Sequence, residues 1–215
     1  MPLVIVRRMG RSPVIPSTAR IAPGAHVVGD VVLGEHCVVD VGAVLASSGP
    51  RVTFGEGVVV MPNAVVRSVG GEHRPAFPTT IGADSVIGPG AVLAGCDIGR
   101  AVYVATQAMV FQGAQVGEGS RLGAGSVVHT GARLSSRSRV GMRQFAVPDE
   151  HGCSVITSDL EIARGHLGQA DFFGHVFDLG DQDTVELHRR SVEVLRQEAA
   201  DWNDVQRDQP PEKSR

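Results

Sequence analysis

The stretch from Ile98 to Leu134, IGRAVYVATQAMVFQGAQVGEGSRLGAGSVVHTGARL, puts an aliphatic residue at every sixth position: Ile98, Val104, Val110, Val116, Leu122, Val128 and Leu134. Downstream the beat reaches Val140. Upstream it runs through Ile81, Ile87 and Leu93, then Phe54, Val60 and Val66, then Ile15, Ile21, Val27, Leu33, Val39 and Leu45. The following residue is often glycine, as at Gly34, Gly55, Gly82, Gly88, Gly99, Gly117, Gly123 and Gly141. An α-helix repeats near 3.6 residues and a strand at 2, so neither accounts for a strict six. Three hexads close one triangular coil of a parallel β-helix, with the aliphatic residue inside the shaft and the small one where the chain turns the corner. The expected class is all-β, with one α-helix appended at the C-terminus.

Composition agrees with a narrow aliphatic shaft. The chain has 215 residues, enough for one domain with an appendage. Aromatic residues are only 4 %, as expected where stacked Val, Ile and Leu leave little room for rings. Net charge is −3 and the basic residues are scattered along the chain, so no nucleic-acid partner is expected. No apolar run is long enough to span a bilayer, and the opening MPLVIVRR is too short and wrongly placed for a secretory signal. Cys37, Cys96 and Cys153 form an odd set without CxxC spacing, which suits a reducing compartment, and a cytoplasmic location is expected. Cys96 has no basic neighbour in sequence to activate it and is expected to pack inside the shaft.

Along the chain, residues 1–14 are expected to form an N-terminal cap or strand and 15–147 the β-helix, about seven coils of about 18 residues each. Within it, residues 67–80 (RSVGGEHRPAFPTT) break the beat, are rich in Gly and Pro, and must project as a loop. Such loops on rigid scaffolds often carry function. Residues 148–182 read as an irregular connector with aromatics, and 183–205 as a helix capped by Asp183 with Glu186 three positions on. In that helix Val185, His188, Val192, Leu195, Ala199 and Trp202 make one apolar stripe, expected to lie along a face of the β-helix or of a neighbouring subunit. Residues 206–215 are polar and expected to be disordered.

The stretch Ile81-Gly82-Ala83-Asp84-Ser85-Val86-Ile87-Gly88-Pro89-Gly90-Ala91-Val92-Leu93-Ala94-Gly95-Cys96-Asp97-Ile98-Gly99 resembles the central signature of the γ-class carbonic anhydrases, approximately IGxxVxVGHxAxLHGCxIG. Pro78-Thr79-Thr80 before it and Val110-Phe111-Gln112-Gly113-Ala114 after it extend the likeness, which covers about residues 15–145. The resemblance implies the left-handed hexapeptide-repeat β-helix, a homotrimer, and a site in the cleft between subunits. It also implies a zinc held by three histidines, two from one subunit and one from its neighbour, with an open position for water. Here the three positions carry Arg67, Pro89 and Ala94, and the Arg-x-Asp pair of that family falls around Ala46 and Ser48. Conventional zinc-dependent hydration of carbon dioxide is therefore not expected, and neither is a metal or a resident cofactor.

Of the eight histidines, no two have short ligand spacing, which leaves a relocated metal site only as an assembly across subunits. Hexapeptide acyltransferases, which the chain also resembles, use a histidine as general base while acyl-CoA lies between subunits. His73 in the projecting loop and His129 at a hexad corner are the candidates, because imidazole titrates near neutrality. The resemblance to the γ-class carbonic anhydrases implies that Arg67, Asn63, Thr106, Gln107 and Gln112 stand near the metal position of that family. A guanidinium there suits carboxylate or phosphate. Three functions follow as expectations. One is a metal-free enzyme on a small anionic or acyl substrate, with acyl-CoA as the co-substrate of an acyl transfer. The second is a non-catalytic ligand-binding or scaffold subunit, and the third is an enzyme with a relocated metal.

Overall fold

The computed structural model describes residues 2–72, 74–149, 151, 153–167, 172–179 and 183–200. The chain winds as a left-handed parallel β-helix of about eight turns. Its first face carries parallel strands from Val4–Val6 through His26–Val28, Val44–Ala46, Val65–Arg67, Val92–Ala94, Met109–Val110 and Val127–Val128 to Phe145–Pro148. The second face runs from Arg20–Ile21 to Arg139–Val140, and the third from Val31–Val32 to Arg133–Leu134. Residues of the six-residue beat point inward: Val27, Leu45, Val66, Ile81, Ile87, Leu93, Val104, Val110 and Val128 are each 0 % exposed. Parallel strands need both faces covered or an enclosed side, and the shaft supplies the enclosed side with branched aliphatics.

Register shows where the turns are regular and where they are not. Tyr103 pairs with Arg121 and Arg121 with Arg139, so a regular turn takes three hexads. The turn from Val44 to Val65 is longer, and that from Val65 to Val92 is the longest of the shaft. The turn from Val92 to Met109 falls one residue short of three hexads. The longest turn holds the projecting loop, which forms an antiparallel hairpin of Val69–Gly71 with Arg74–Phe77. The short turn contains the five-residue step at Cys96, whose thiol is buried and pushed up by desolvation. Rungs are also tied at corners by buried serines. Ser85 Oγ donates to Gly99 O (3.1 Å) and accepts from Val102 N (3.1 Å).

The outer surfaces of the faces differ. Outward on the first face stand Val44, Val65, Val92, Met109, Val127 and Phe145, stacked in register and half-buried. Toward the C-terminal end, the second face presents Tyr103, Arg121 and Arg139, and the third Asp97, Gln115 and Arg133, all exposed.

The C-terminal part of the chain departs from expectation, and the N-terminal part does not. Val4–Val6 pairs with His26–Val28, so of the two expected forms, cap or strand, the N-terminal segment takes the strand, as the first rung of the first face. The connector is not irregular in its described parts. Ser154–Thr157 runs antiparallel to Phe145–Pro148 and closes the sheet, followed by helices α1 (Leu160–Leu167) and α2 (Phe172–Phe177). Helix α3 spans Thr184–Ala200, and Asp183 Oδ1 accepts from Val185 N at its start (2.9 Å). Glu186 does not close a capping box; it pairs with Arg189 and Arg190. The stripe Val185, Val192 and Leu195 is exposed at 73 %, 45 % and 45 %, so it does not lie on this chain's own shaft. Leu187, Ser191, Val194 and Glu198 form the less exposed side instead. Trp202 and the tail lie outside the described residues, and among those described no helix is long and apolar enough to cross a membrane.

Candidate functional site

Arg67 ends its strand at the corner between the first and third faces. It pairs in register with Ala46 below and Ala94 above. Continuing that register upward places Phe111 and then His129 in the same column. Two of the three positions implied as zinc ligands, Arg67 and Ala94, are thus neighbours on adjacent rungs. The third, Pro89, sits across the face at the corner with the second face, where its carbonyl accepts from Gln107 N (3.0 Å). A guanidinium, a methyl group and a pyrrolidine ring offer zinc no lone pair, and a fixed cation at Arg67 opposes a metal charge. The residues present do not fit the metal. Among the described residues no three His, Cys, Asp or Glu side chains converge elsewhere.

What surrounds Arg67 is a wall built by the hairpin and the C-terminal helices. Arg74, its side chain only 2 % exposed, forms a two-pronged ion pair with Glu198 of α3: Nε to Oε1 at 2.5 Å and Nη2 to Oε2 at 2.9 Å. Its guanidinium also lies 4.9 Å from the Phe177 ring centre. Thr79 Oγ1 donates to Arg67 O (2.7 Å) and accepts from Gly95 N (2.9 Å), which pins the strand end to the rung above. The Arg67 guanidinium is half-buried and its pKa is lowered, first by desolvation and then by Arg74, with Glu198 opposing. Its Nε is buried and meets no acceptor among the described residues. The corner is therefore a partly desolvated cationic site whose nearby carboxylate already serves another arginine.

Above Ala94 lies a second group of polar atoms. Gln112 Oε1, His129 Nδ1 and Thr130 Oγ1 are buried without a hydrogen-bond partner among the described residues. Gln112 follows Phe111, and Thr130 follows His129 one rung up, so the three sit on adjacent rungs of one corner. His129 lies edge-on to Phe111 at 6.0 Å, and burial lowers its pKa, which keeps the imidazole neutral and able to accept a proton.

That shift has a sign that can be checked. Between the folded and unfolded values the unfolded chain binds the extra proton, so His129 makes stability rise with pH there. Stability should fall as pH drops below about 6.5 and level off below the folded value. Replacing His129→Gln should flatten this slope in urea titrations at pH 5 to 7; an unchanged slope would exclude the burial effect.

The remaining candidates are elsewhere. Asn63 and Gln107 occupy left-handed turn positions, φ +58° and +57°, at the corner of the second and first faces, and Thr106 precedes Gln107 there. All three are exposed, and Asn63 lies over Gly42. Asparagine is a common choice for such a backbone, so its local role is the turn. Four residues of extended chain separate Asn63 from Arg67, about 13 Å, so one chain does not bring the two corners together. His73 lies outside the described residues. Sequence reading missed Arg74 and Glu198 as partners, and missed His175, whose ring packs 5.1 Å from Phe77 beside Gly113. Arg74 stands in a Gly/Pro loop and Glu198 in a helix 124 residues away, and no local pattern links them.

Comparison with known proteins finds gamma carbonic anhydrases among the relatives of this chain. The chain is 30 % identical over 104 residues to the mitochondrial gamma carbonic anhydrase 1 of Arabidopsis thaliana, covering 48 % of this chain and 38 % of that one. It is 34 % identical over 96 residues to a "Probable carbonic anhydrase" of Methanocaldococcus jannaschii, 45 % of this chain and 57 % of that one. The aligned part thus spans between about two fifths and three fifths of these curated relatives. No family model matches. Among solved structures, a Bacillus cereus protein provisionally described as an acetyltransferase superposes with a TM-score of 0.52 at 18 % identity, over 94 % of this chain and 98 % of that one.

Proposed function

From a γ-carbonic-anhydrase-like hexapeptide-repeat chain we infer a metal-free enzyme acting on a small anionic or acyl substrate in the cleft between the subunits of a cytoplasmic homotrimer, with acyl transfer from acyl-CoA as its reaction. The observation that carries this reading is the half-buried Arg67 guanidinium, its Nε without an acceptor among the described residues, at the position where the resemblance implies a zinc ligand. It grips the carboxylate or phosphate of the substrate. The neutral His129 imidazole takes the proton of an acceptor hydroxyl or amine as that group attacks the thioester carbonyl, and returns it to the departing thiolate of CoA. Arg67 and His129 stand three rungs apart, about 14 Å. A single small acid does not reach both, whereas an acyl-CoA lying along the corner does. His73 is the alternative base.

The trimer is supported by the apolar outer column of the first face, Val44 to Phe145, which is the surface a second copy would cover. It is also supported by the separation of the two corners: Asn63, Thr106 and Gln107 reach Arg67 only from a neighbouring copy. The free thiols Cys37 and Cys96 agree with a reducing compartment.

The test is thermal stabilisation by a panel of acyl-CoAs and small carboxylates, since a ligand that binds only the folded state raises Tm. At least one should stabilise the native chain, and Arg67→Ala should weaken its binding by about tenfold or more, about 1.4 kcal/mol. A panel without effect would favour the second reading, a non-catalytic scaffold subunit. The observation behind that reading is the exposed stripe Val185, Val192 and Leu195, which suits a docking helix.

A further inference from the structure

The arginines that are scattered in sequence gather in space. Between Glu118 and Asp149 the chain has no acidic residue and five arginines: Arg121, Arg133, Arg137, Arg139 and Arg143. All five are exposed, and among the described residues none pairs with a carboxylate. Arg121 and Arg139 are direct partners on adjacent strands of the second face, with Tyr103 below them in the same column. Like charges facing each other across a ladder repel, an arrangement that a bound anion would relieve.

Beside this column runs a notch. The corner of the second and third faces is a stack of left-handed turn residues, Asp84, Ala101, Gly119 and Arg137, with φ of +60°, +52°, +69° and +62°. Ala101 and Gly119 are the small members and leave the floor open. An alanine in this left-handed backbone is unfavourable where glycine or asparagine would be easier, and its short side chain keeps the notch free. Two grooves of about 670 and 640 Å³ meet at Ala101 and Gly119. One is walled by Tyr103 and Arg121 with Asp84, the other by Ser136 and Arg137 with Glu118. The stem of Arg137 runs over Gly119, 3.5 Å from where a Cβ would stand, so its head is carried along the notch. At the lower end Arg100 is paired with Asp84 (3.2 Å).

We propose that this notch binds a nucleoside triphosphate, with its base on the ring of Tyr103 and its phosphates held by Arg121, Arg137 and Arg139. Arginine forks match phosphate oxygens, and an exposed tyrosine beside them offers a stacking face to any base. The size of the feature favours a mononucleotide over a polymer. The arginines span two rungs above Tyr103, about 10 Å, the reach of a triphosphate. The Asp84–Arg100 pair then ends the basic track with a carboxylate that would repel a continuing backbone. The site lies at the corner opposite the first face, away from Arg67, so it stands independently of the acyl-transfer reading.

The experiment titrates the full chain at low salt with ATP, inorganic triphosphate and adenosine. Binding is read by calorimetry and by the ring signals of Tyr103, the only tyrosine in the chain. ATP should bind about tenfold more tightly than inorganic triphosphate and shift the Tyr103 signals. Tyr103→Ala should abolish that difference and Tyr103→Phe should keep it. Arg121→Gln with Arg139→Gln should weaken ATP and triphosphate alike, by about tenfold or more. Equal binding of ATP and triphosphate with unmoved Tyr103 signals would reduce the feature to an unspecific basic patch and overturn the proposal, as would absence of ATP binding at millimolar concentration.

Discussion

Arg74→Ala is expected to cost about 3–5 kcal/mol, the range for removing one partner of a buried ion pair. The Arg74 side chain is 2 % exposed and that of Glu198 15 %, so the substitution leaves a carboxylate largely out of water without its two-pronged partner. It also removes the cation packed on Phe177. The loss should fall on the docking of α3 rather than on the shaft, because the pair joins a hairpin to a helix and no shaft residue belongs to it. Amide exchange over residues 184–198 should therefore accelerate strongly while amides of the shaft, such as those of Val104 and Val110, stay protected. A double replacement by apolar residues, Arg74→Met with Glu198→Leu, should recover most of the loss, since no charge is then stranded. If the single variant leaves α3 exchange unchanged, the pair does not hold the helix. Glu198→Ala has a further consequence at Arg67. With the opposing carboxylate gone, two guanidiniums share the corner, and a small carboxylate ligand should bind more tightly even as α3 loosens.

Gly82→Ala is expected to cost about 3 kcal/mol or more, at or beyond the upper end of ordinary overpacking. A Cβ at residue 82 would stand 2.4 Å from Gly99 C and 2.5 Å from Arg100 N, both backbone atoms of the next rung. That rung cannot move away. Gly82 N donates to Ile98 O (2.7 Å), and Ile81 is paired with Ile98. Because each rung contacts only its neighbours, a wedge between two of them splits the stack at its middle. Gly131→Ala is the control. A Cβ there meets nothing within 4 Å, and only the left-handed backbone, φ +72°, opposes it, at about 1–2 kcal/mol. Urea midpoints of the two variants should differ in that order. If Gly131→Ala were the more damaging, corner contacts between rungs would not be what demands glycine in this shaft.

The shaft was legible because its rule is local. Each rung repeats the same sixfold choice of an aliphatic residue and a small one, so reading one coil predicts its neighbours. The positions implied as ligands were legible only through the likeness of Ile81 to Gly99 to a family signature, and the register pairs two of them, Arg67 and Ala94, on adjacent rungs. The tail was read less well. The stripe of α3 is a true helical periodicity, yet Leu187 and Val194 turn toward the protein and Val185, Val192 and Leu195 do not. Periodicity tells that a helix has an apolar side but not which neighbour covers it. The arginine ladder was overlooked although Tyr103, Arg121 and Arg139 recur once per turn, since a charge count along the chain does not register stacking across it.

The amino-acid sequence alone determined the β-helix and that Arg67, Pro89 and Ala94 stand where the resemblance implies histidines. Both depend only on which residue stands at which place in a short repeat. The tertiary structure alone decided that Arg74 meets Glu198 and that this pair stands beside Arg67. Those relations join segments far apart in the chain. They are set by how an excursion from the longest turn and a C-terminal helix find each other on the outside of the shaft, where no repeat constrains them.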